Sequence, residues 1–233
     1  QNHSFALDTL GRLWAWGVNN GSYGSNRGQL GDGTILDRHA PVLVGSEDFA
    51  DLPMTTMAAG TGHSLGLGKD GNLWAWGQND YGQLGNGDTT EQLTPVLVDS
   101  SALKDASILA LAAGGNHSLA LDDSGTVWSW GDNDYGQLGD GTTTDHLTPV
   151  KVNLDVLAGV PVVAISAGTI HSTALDQSGR VWAWGYNYHG QLGDSTTTNR
   201  LTPVEVDIGT LGGVPVVSIA AGTNHNLILD QAG

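Results

Sequence analysis

Cysteine is absent from this 233-residue chain. That excludes disulfides, thiol nucleophiles and thiolate metal sites, and it leaves the redox compartment open. Positive charge is scarce: eight Lys and Arg stand against 24 Asp and Glu, a formal net charge of −16. So acidic a surface repels phosphate backbones and anionic bilayers, so nucleic acid is not an expected partner. It suits solubility, a salty medium or a cationic partner. No apolar run is long enough to span a bilayer as a helix, so membrane insertion is not expected. No leader peptide, linker or low-complexity stretch is visible. The 3.6-residue apolar spacing of helices is also missing, which argues against a helical solenoid. The chain opens on Gln1 rather than methionine, and the expectation is a processed chain or a piece of a larger one.

What is present is repetition. Trp74-Ala75-Trp76-Gly77 returns as Trp128-Ser129-Trp130-Gly131 and as Trp182-Ala183-Trp184-Gly185, each 54 residues on. An earlier copy, Trp14 to Gly17, precedes these by 60, the difference being extra sequence near Gly21 to Asn26. All eight tryptophans belong to these copies. A histidine phrase, His3-Ser4-Phe5-Ala6-Leu7-Asp8, recurs from His63, His117, His171 and His225. Gly-Gln-Leu-Gly recurs from Gly28, Gly82, Gly136 and Gly190, and Pro-Val from Pro41, Pro95, Pro149 and Pro203. A fixed period of this size defines a repeat architecture. The repeats run approximately over 1–53, 54–106, 107–160 and 161–214, with a partial one over 215–233, in a single domain.

One repeat reads as four short strands. Ser107 to Ala113 is an apolar run, His117 to Leu121 a second, and Val127 to Trp130 a third after the turn at Asp122-Asp123-Ser124-Gly125. A long loop from Tyr135 to Asp145 leads to Thr148-Pro149-Val150-Lys151-Val152, where proline suits an edge strand because it has no N–H to donate. Four antiparallel strands, two of them apolar on both faces, describe a propeller blade sandwiched between neighbours. The 35 glycines sit at fixed points and read as turn residues.

These phrases resemble the regulator of chromosome condensation repeat family. The likeness rests on Ala-Gly-x-x-His-Ser-x-Ala-Leu, Trp-x-Trp-Gly-x-Asn, Gly-Gln-Leu-Gly-Asp-Gly and Thr-Pro-Val, and covers essentially the whole chain. It implies an all-β fold, a β-propeller usually of seven blades, whose members mostly bind proteins. At a period of 54, the 233 residues give about four blades. That leaves a segment of a longer chain, a ring completed by another copy, or an open stack.

The conspicuous residues read mostly as scaffold. The repeat histidines, one per blade and without carboxylates at ligand spacing, read as buried imidazoles bonded to a neighbouring blade's backbone rather than as metal ligands. The paired tryptophans read as inter-blade packing. Gly136-Gln137-Leu138-Gly139-Asp140-Gly141 lacks the lysine and helix of a phosphate loop and reads as a turn. Asp132, Asp134 and Asp140 offer oxygen ligands, but their spacing does not match an EF-hand loop, so no metal site is assigned. No catalytic set and no cofactor motif is found.

Function is then expected where the repeats differ, in the loops. The position before Gly-Gln-Leu reads Arg27, Tyr81, Tyr135 and His189; the positions after Trp-Gly include Asp80, Asp134, Tyr186 and Tyr188. With Tyr23 in the first repeat's insert, these form an expected protein-binding rim at one end of the propeller, since tyrosine is enriched at interfaces. Asn20, in an Asn-x-Ser pattern, is the candidate glycosylation site. The expected function is a non-enzymatic interaction or assembly scaffold, extracellular or at the cell surface, binding a protein partner or itself. The alternatives are a guanine-nucleotide exchange factor for a small GTPase and a proteinaceous enzyme inhibitor.

Overall fold

The computed structural model describes residues 2–20, 27–45, 52–104, 106–209 and 214–232. Among the described residues, seventeen strands form five antiparallel sheets, joined by loops and a 3₁₀ turn at Asp155–Leu157. Among the described residues, no helix is long and apolar enough to cross a membrane.

The first sheet holds β1 (His3–Leu7), β2 (Leu13–Gly17) and β3 (Arg38–Leu43). Three four-stranded sheets follow. They are β4 (Met54–Ala59), β5 (His63–Gly68), β6 (Leu73–Gly77) and β7 (Gln92–Leu97); β8 (Ile108–Ala113), β9 (His117–Asp122), β10 (Val127–Gly131) and β11 (His146–Lys151); and β12 (Val162–Ala167), β13 (His171–Asp176), β14 (Val181–Gly185) and β15 (Arg200–Glu205). The last sheet pairs β16 (Val216–Ala221) with β17 (Asn226–Asp230). Each complete sheet is a meander, with strand order following chain order.

The first strands of successive blades, β4, β8, β12 and β16, neighbour one another and so lie innermost, with the proline-bearing strands outermost. The second strands β5, β9 and β13 are buried along their whole length. This is the consequence of sandwiching each sheet between two others, and it is why these strands read as apolar on both faces. The cores accordingly lie between blades. Leu65, Leu84, Ala113, Ala120 and Trp130 pack blade two on blade three, and Ala112, Leu121, Ala167, Trp182 and Trp184 pack blade three on blade four.

A hydrogen-bonded circuit recurs at each interface. His63 Nε2 meets Ser118 Oγ at 2.9 Å, Ser118 Oγ donates to the Gln83 carbonyl at 2.8 Å, and Trp130 Nε1 donates to the same carbonyl at 2.9 Å. His3–Ser64–Gln29–Trp76 and His117–Ser172–Gln137–Trp184 repeat it. At the last interface Asn226 stands in for serine: its Oδ1 meets His171 Nε2 at 2.9 Å and its Nδ2 donates to the Gln191 carbonyl at 2.8 Å. The imidazole partner is thus a side chain of the next blade, not its backbone as the sequence suggested. The reason is that Ser118, adjacent to His117 in the chain, serves the interface before the one His117 serves.

Two glycines per repeat make this circuit possible. A Cβ at Gly60 would come within 2.6 Å of His63 Nδ1, so the imidazole lies flat against the preceding turn only because that residue has no side chain. Gly85 has a φ of 69°, and a Cβ there would meet Trp130 Nε1 at 2.7 Å, where the indole reaches its carbonyl.

Candidate functional site

The loops after Trp-Gly are built on one buried asparagine each. Asn133 Oδ1 accepts from Leu138 N at 3.0 Å, while its Nδ2 lies near Asp140, Thr142 and the Thr144 carbonyl. Asn19, Asn79 and Asn187 do the same in their blades. With the centre of the loop held this way, the residues after the asparagine face outward, Asp80, Tyr81, Asp134, Tyr135, Tyr188 and His189 among them, while Gln78 and Asp132 before it stay buried.

The residue before Gly-Gln-Leu leans onto the next blade's loop. Tyr135 meets Tyr186 edge-on, with ring centroids 4.9 Å apart. Tyr186 stacks on Tyr188 at 6.4 Å, and His189 packs edge-on against Tyr188 at 5.3 Å. Tyr188 is 70% exposed, and Tyr135 is also exposed. One blade earlier, Tyr81 sits among carboxylates: its phenol is raised by burial and then by Asp132, Asp134, Asp80 and Asp145. Arg27, one blade earlier still, lies beside Gly62 and near Glu91. The rim residues Asp80, Tyr81, Asp134, Tyr135, Tyr186, Tyr188 and His189 therefore form one run across blades two to four. Tyr23 lies outside the described residues.

The carboxylate cluster differs from the set picked out in the sequence. Single oxygens of Asp132, Asp134 and Asp145 lie within 4.8 Å of one another. Asp140 turns away, bonding Asn133 and Thr142 and pairing with His146 at 2.9 Å. Burial raises the Asp132 carboxyl, a backbone bond from Asp134 opposes it, and the charges of Asp134 and Asp145 add to the rise. Among the described residues, Asp80, Asp132, Asp134 and Asp145 form no ion pair. Asp145 was missed because it stands far along the loop. Lining up the repeats would have found it, since Asp37, Glu91, Asp145 and Asn199 recur at the same spacing and Asp37, Asp145 and Asn199 each cap the backbone of the loop asparagine.

An axial cavity of about 250 Å³ is lined by Thr61, Gly114, Gly168, Thr169, Gly222, Thr223 and small neighbours. Its lining offers threonine hydroxyls and backbone groups and, among the described residues, no ionisable side chain. Asn20 is exposed, with its backbone N–H and side-chain amide directed at Asp37.

Comparison with known proteins agrees with the architecture. The regulator of chromosome condensation (RCC1) repeat matches residues 11–67, 70–121, 124–175 and 178–229. The chain is 33% identical over 231 residues to the human E3 ubiquitin-protein ligase HERC2, covering 99% of this chain and 4% of that protein. It is 33% identical over 230 residues to the ultraviolet-B receptor UVR8 of Arabidopsis thaliana, covering 99% of this chain and 49% of the receptor. Among solved structures, human WBSCR16 superposes with a TM-score of 0.86 at 24% identity, over 99% of this chain and 56% of that one. Prp20p of Saccharomyces cerevisiae does so with a TM-score of 0.80 at 22% identity, over 100% and 55%. The chain thus spans about half or less of these relatives. Repeated phrases, four-stranded blades and the matched repeats together establish that this chain belongs to the RCC1 repeat family and forms an all-β propeller domain.

Proposed function

We propose that the domain is a non-catalytic protein-interaction module whose docking surface is the rim running from Tyr81 to His189. One observation carries this reading: residues that differ between repeats meet, Tyr135, Tyr186, Tyr188 and His189 in one aromatic cluster and Tyr81 against Asp132, Asp134 and Asp145, carboxylates that form no ion pair among the described residues. Aromatic side chains with two torsions bury large area at low entropic cost, and unpaired carboxylates favour a partner rich in Lys and Arg. Related propellers support the class of function, since yeast Prp20p is described with binding to Gsp1p and histones and in complex with Kap60.

The test is calorimetric titration with a Lys/Arg-rich peptide, comparing the parent with a Tyr186→Ser, Tyr188→Ser double variant. Saturable one-to-one binding, weakened at least tenfold in the variant, supports the rim. Equal binding by both would move the site elsewhere. The exchange-factor alternative rests on the family resemblance, and accelerated nucleotide release from a small GTPase would replace the module reading.

Self-association is a second reading, favoured by one observation: β17 exposes Leu227 at 64% and Leu229 at 50%. Exposed apolar strand residues of this kind invite pairing. Light scattering on a sizing column decides it: a monomer at all concentrations removes the reading, and a defined oligomer supports it. Asn20 is the proposed carbohydrate acceptor, to be checked by a mass shift lost on N-glycosidase treatment.

A further inference from the structure

Outside the rim, the densest set of titratable groups lies where blade meets blade. His63, His117 and His171 are wholly buried and His3 is 7% exposed. Each contacts the next blade through Nε2, at 2.9 to 3.0 Å. The tautomer follows from the circuit. Each serine spends its proton on a glutamine carbonyl, and Asn226 presents a carbonyl oxygen, so Nε2 must be the donor. Nδ1 is then a bare acceptor, and in all four rings it is buried with no hydrogen-bond partner. A second proton would sit on Nδ1 in a dry interface, against a glycine turn, with nothing to receive its hydrogen bond.

We propose that these four histidines are an acid-sensitive fastening, holding successive blades together only while neutral, so that acidification releases blade from blade.

Burial outweighs what faces each imidazole, and only the Asn226 bond to His171 favours the charged form. Burial bears first on His3, burial and then His3 on His63, burial and then His63 and His171 on His117. For His171, burial dominates, the bond to Asn226 opposes it, and His225 adds a like charge. No carboxylate bears appreciably on any of the four among the described residues. The folded pKa is lowered to about 4 for His3 and to about 3 for His63 and His117, and is lowered for His171 as well.

The unfolded chain binds a proton on each of these groups near pH 6.5 and the folded chain does not. Stability is therefore full above that value and is lost as pH falls below it, down to the folded pKa. His3, His63 and His117 each raise the unfolding constant roughly tenfold per pH unit in that window and multiply, and His171 acts in the same direction. The paired carboxylates Asp8, Asp122, Asp176 and Asp194 act in the same direction, but their folded values are held below the ordinary 3.8. Their contribution is therefore lost well below pH 5. Asp132 and Glu91 are raised and act oppositely, near the lower edge of the window.

The test is denaturant unfolding of the full chain at pH 7, 6 and 5, for the parent and for His117→Gln and His63→Gln/His117→Gln. Glutamine keeps an N–H donor for the serine and does not titrate. The parent's unfolding constant is expected to climb by about three powers of ten per pH unit between 6 and 5 from His3, His63 and His117, with His171 adding in the same direction, and each glutamine to remove about one of them. A variant with the parent's pH slope would overturn the proposal. Should the variants not fold, imidazole NMR of the parent decides. Four rings that stay neutral and Nε2-protonated from pH 7 to 5.5 in the folded chain support it, and ladder imidazoles that titrate between pH 6 and 7 overturn it.

Discussion

Blades two and three have the same strands and the same interface circuit, yet their outer polar contacts differ. In blade three, Asp122 closes the hairpin turn: its Oδ1 accepts from Ser124 and Thr126 N–H groups and its Oδ2 from Trp128 Nε1 at 2.9 Å. Lys151 then lies over the Trp128 ring at 5.0 Å. Blade four repeats this with Asp176, Trp182 and Arg180. In blade two the equivalent position is Gly68, and the acceptor has moved two residues on: Asp70 takes the Asn72 N–H at 3.1 Å. The loop differs likewise. Asp140 pairs with His146 in blade three, as Asp32 does with Arg38 and Asp194 with Arg200, whereas blade two carries the neutral Asn86 and Gln92 at these positions. The His–Ser–Gln–Trp circuit is held constant because each of its members satisfies a buried group on another blade, and loss of one strands the rest. A hairpin turn or loop staple needs only some acceptor within reach, so its residues are free to drift.

The comparison breaks most readily at the tryptophans. Trp76 and Trp130 are both wholly buried, each donating to the preceding blade's carbonyl. Trp76→Ala and Trp130→Ala should each cost about 3–5 kcal/mol and agree with one another within about 1 kcal/mol, as read from urea unfolding. A Trp76 variant that is nearly neutral beside a damaging Trp130 variant would mean that the two interfaces are not equivalent.

The turns should part company where the interfaces do not. Asp122 is 5% exposed and serves an indole and two backbone donors, so Asp122→Ala should cost about 2 kcal/mol. Asp70 is exposed and bonds within its own turn, so Asp70→Ala should cost below about 1 kcal/mol. Equal losses would show that blade two depends on its displaced carboxylate as strongly as blade three does on Asp122.

Most of this scaffold was legible in the sequence because its constraints are local and repeated. Apolar runs of strand length, a glycine turn between them and a proline on the outer strand place every strand of a blade to within about two residues, and the period says how often. Partners across the interface were not legible. His117 and Ser118 are neighbours in the chain but serve different interfaces, and nothing in one phrase says which serine lies opposite which histidine. The rim shows the same limit. Tyr81 and Tyr135 stand out at the variable position before Gly-Gln-Leu, and Tyr186 and Tyr188 at those after Trp-Gly, but the carboxylate beside Asp132 and Asp134 comes from Asp145, eleven residues beyond Asp134 and brought back by the loop asparagine.

The smallest expected effect is also the sharpest use of the comparison, since it asks whether blade three's turn can be moved into blade two. Gly68 has an ordinary strand backbone, so a side chain is admissible there, and the obstacle to a Cβ is the Asp70 carboxylate, a flexible group. Gly68→Asp with Asp70→Ser removes that obstacle and reproduces the Asp-x-Ser-Gly order of Asp122 to Gly125. It leaves the net charge unchanged. The new carboxylate would stand where Asp122 stands, within reach of the Asn72 N–H that Asp70 now serves. Loss of a glycine from a strand interior, with the Asn72 N–H still served, should raise stability by about 0.5–1 kcal/mol, with an unchanged denaturant dependence. A loss of stability instead would mean that Asp70 fits a turn geometry peculiar to blade two, and that drift between the blades has been compensated in the backbone rather than in the side chains alone.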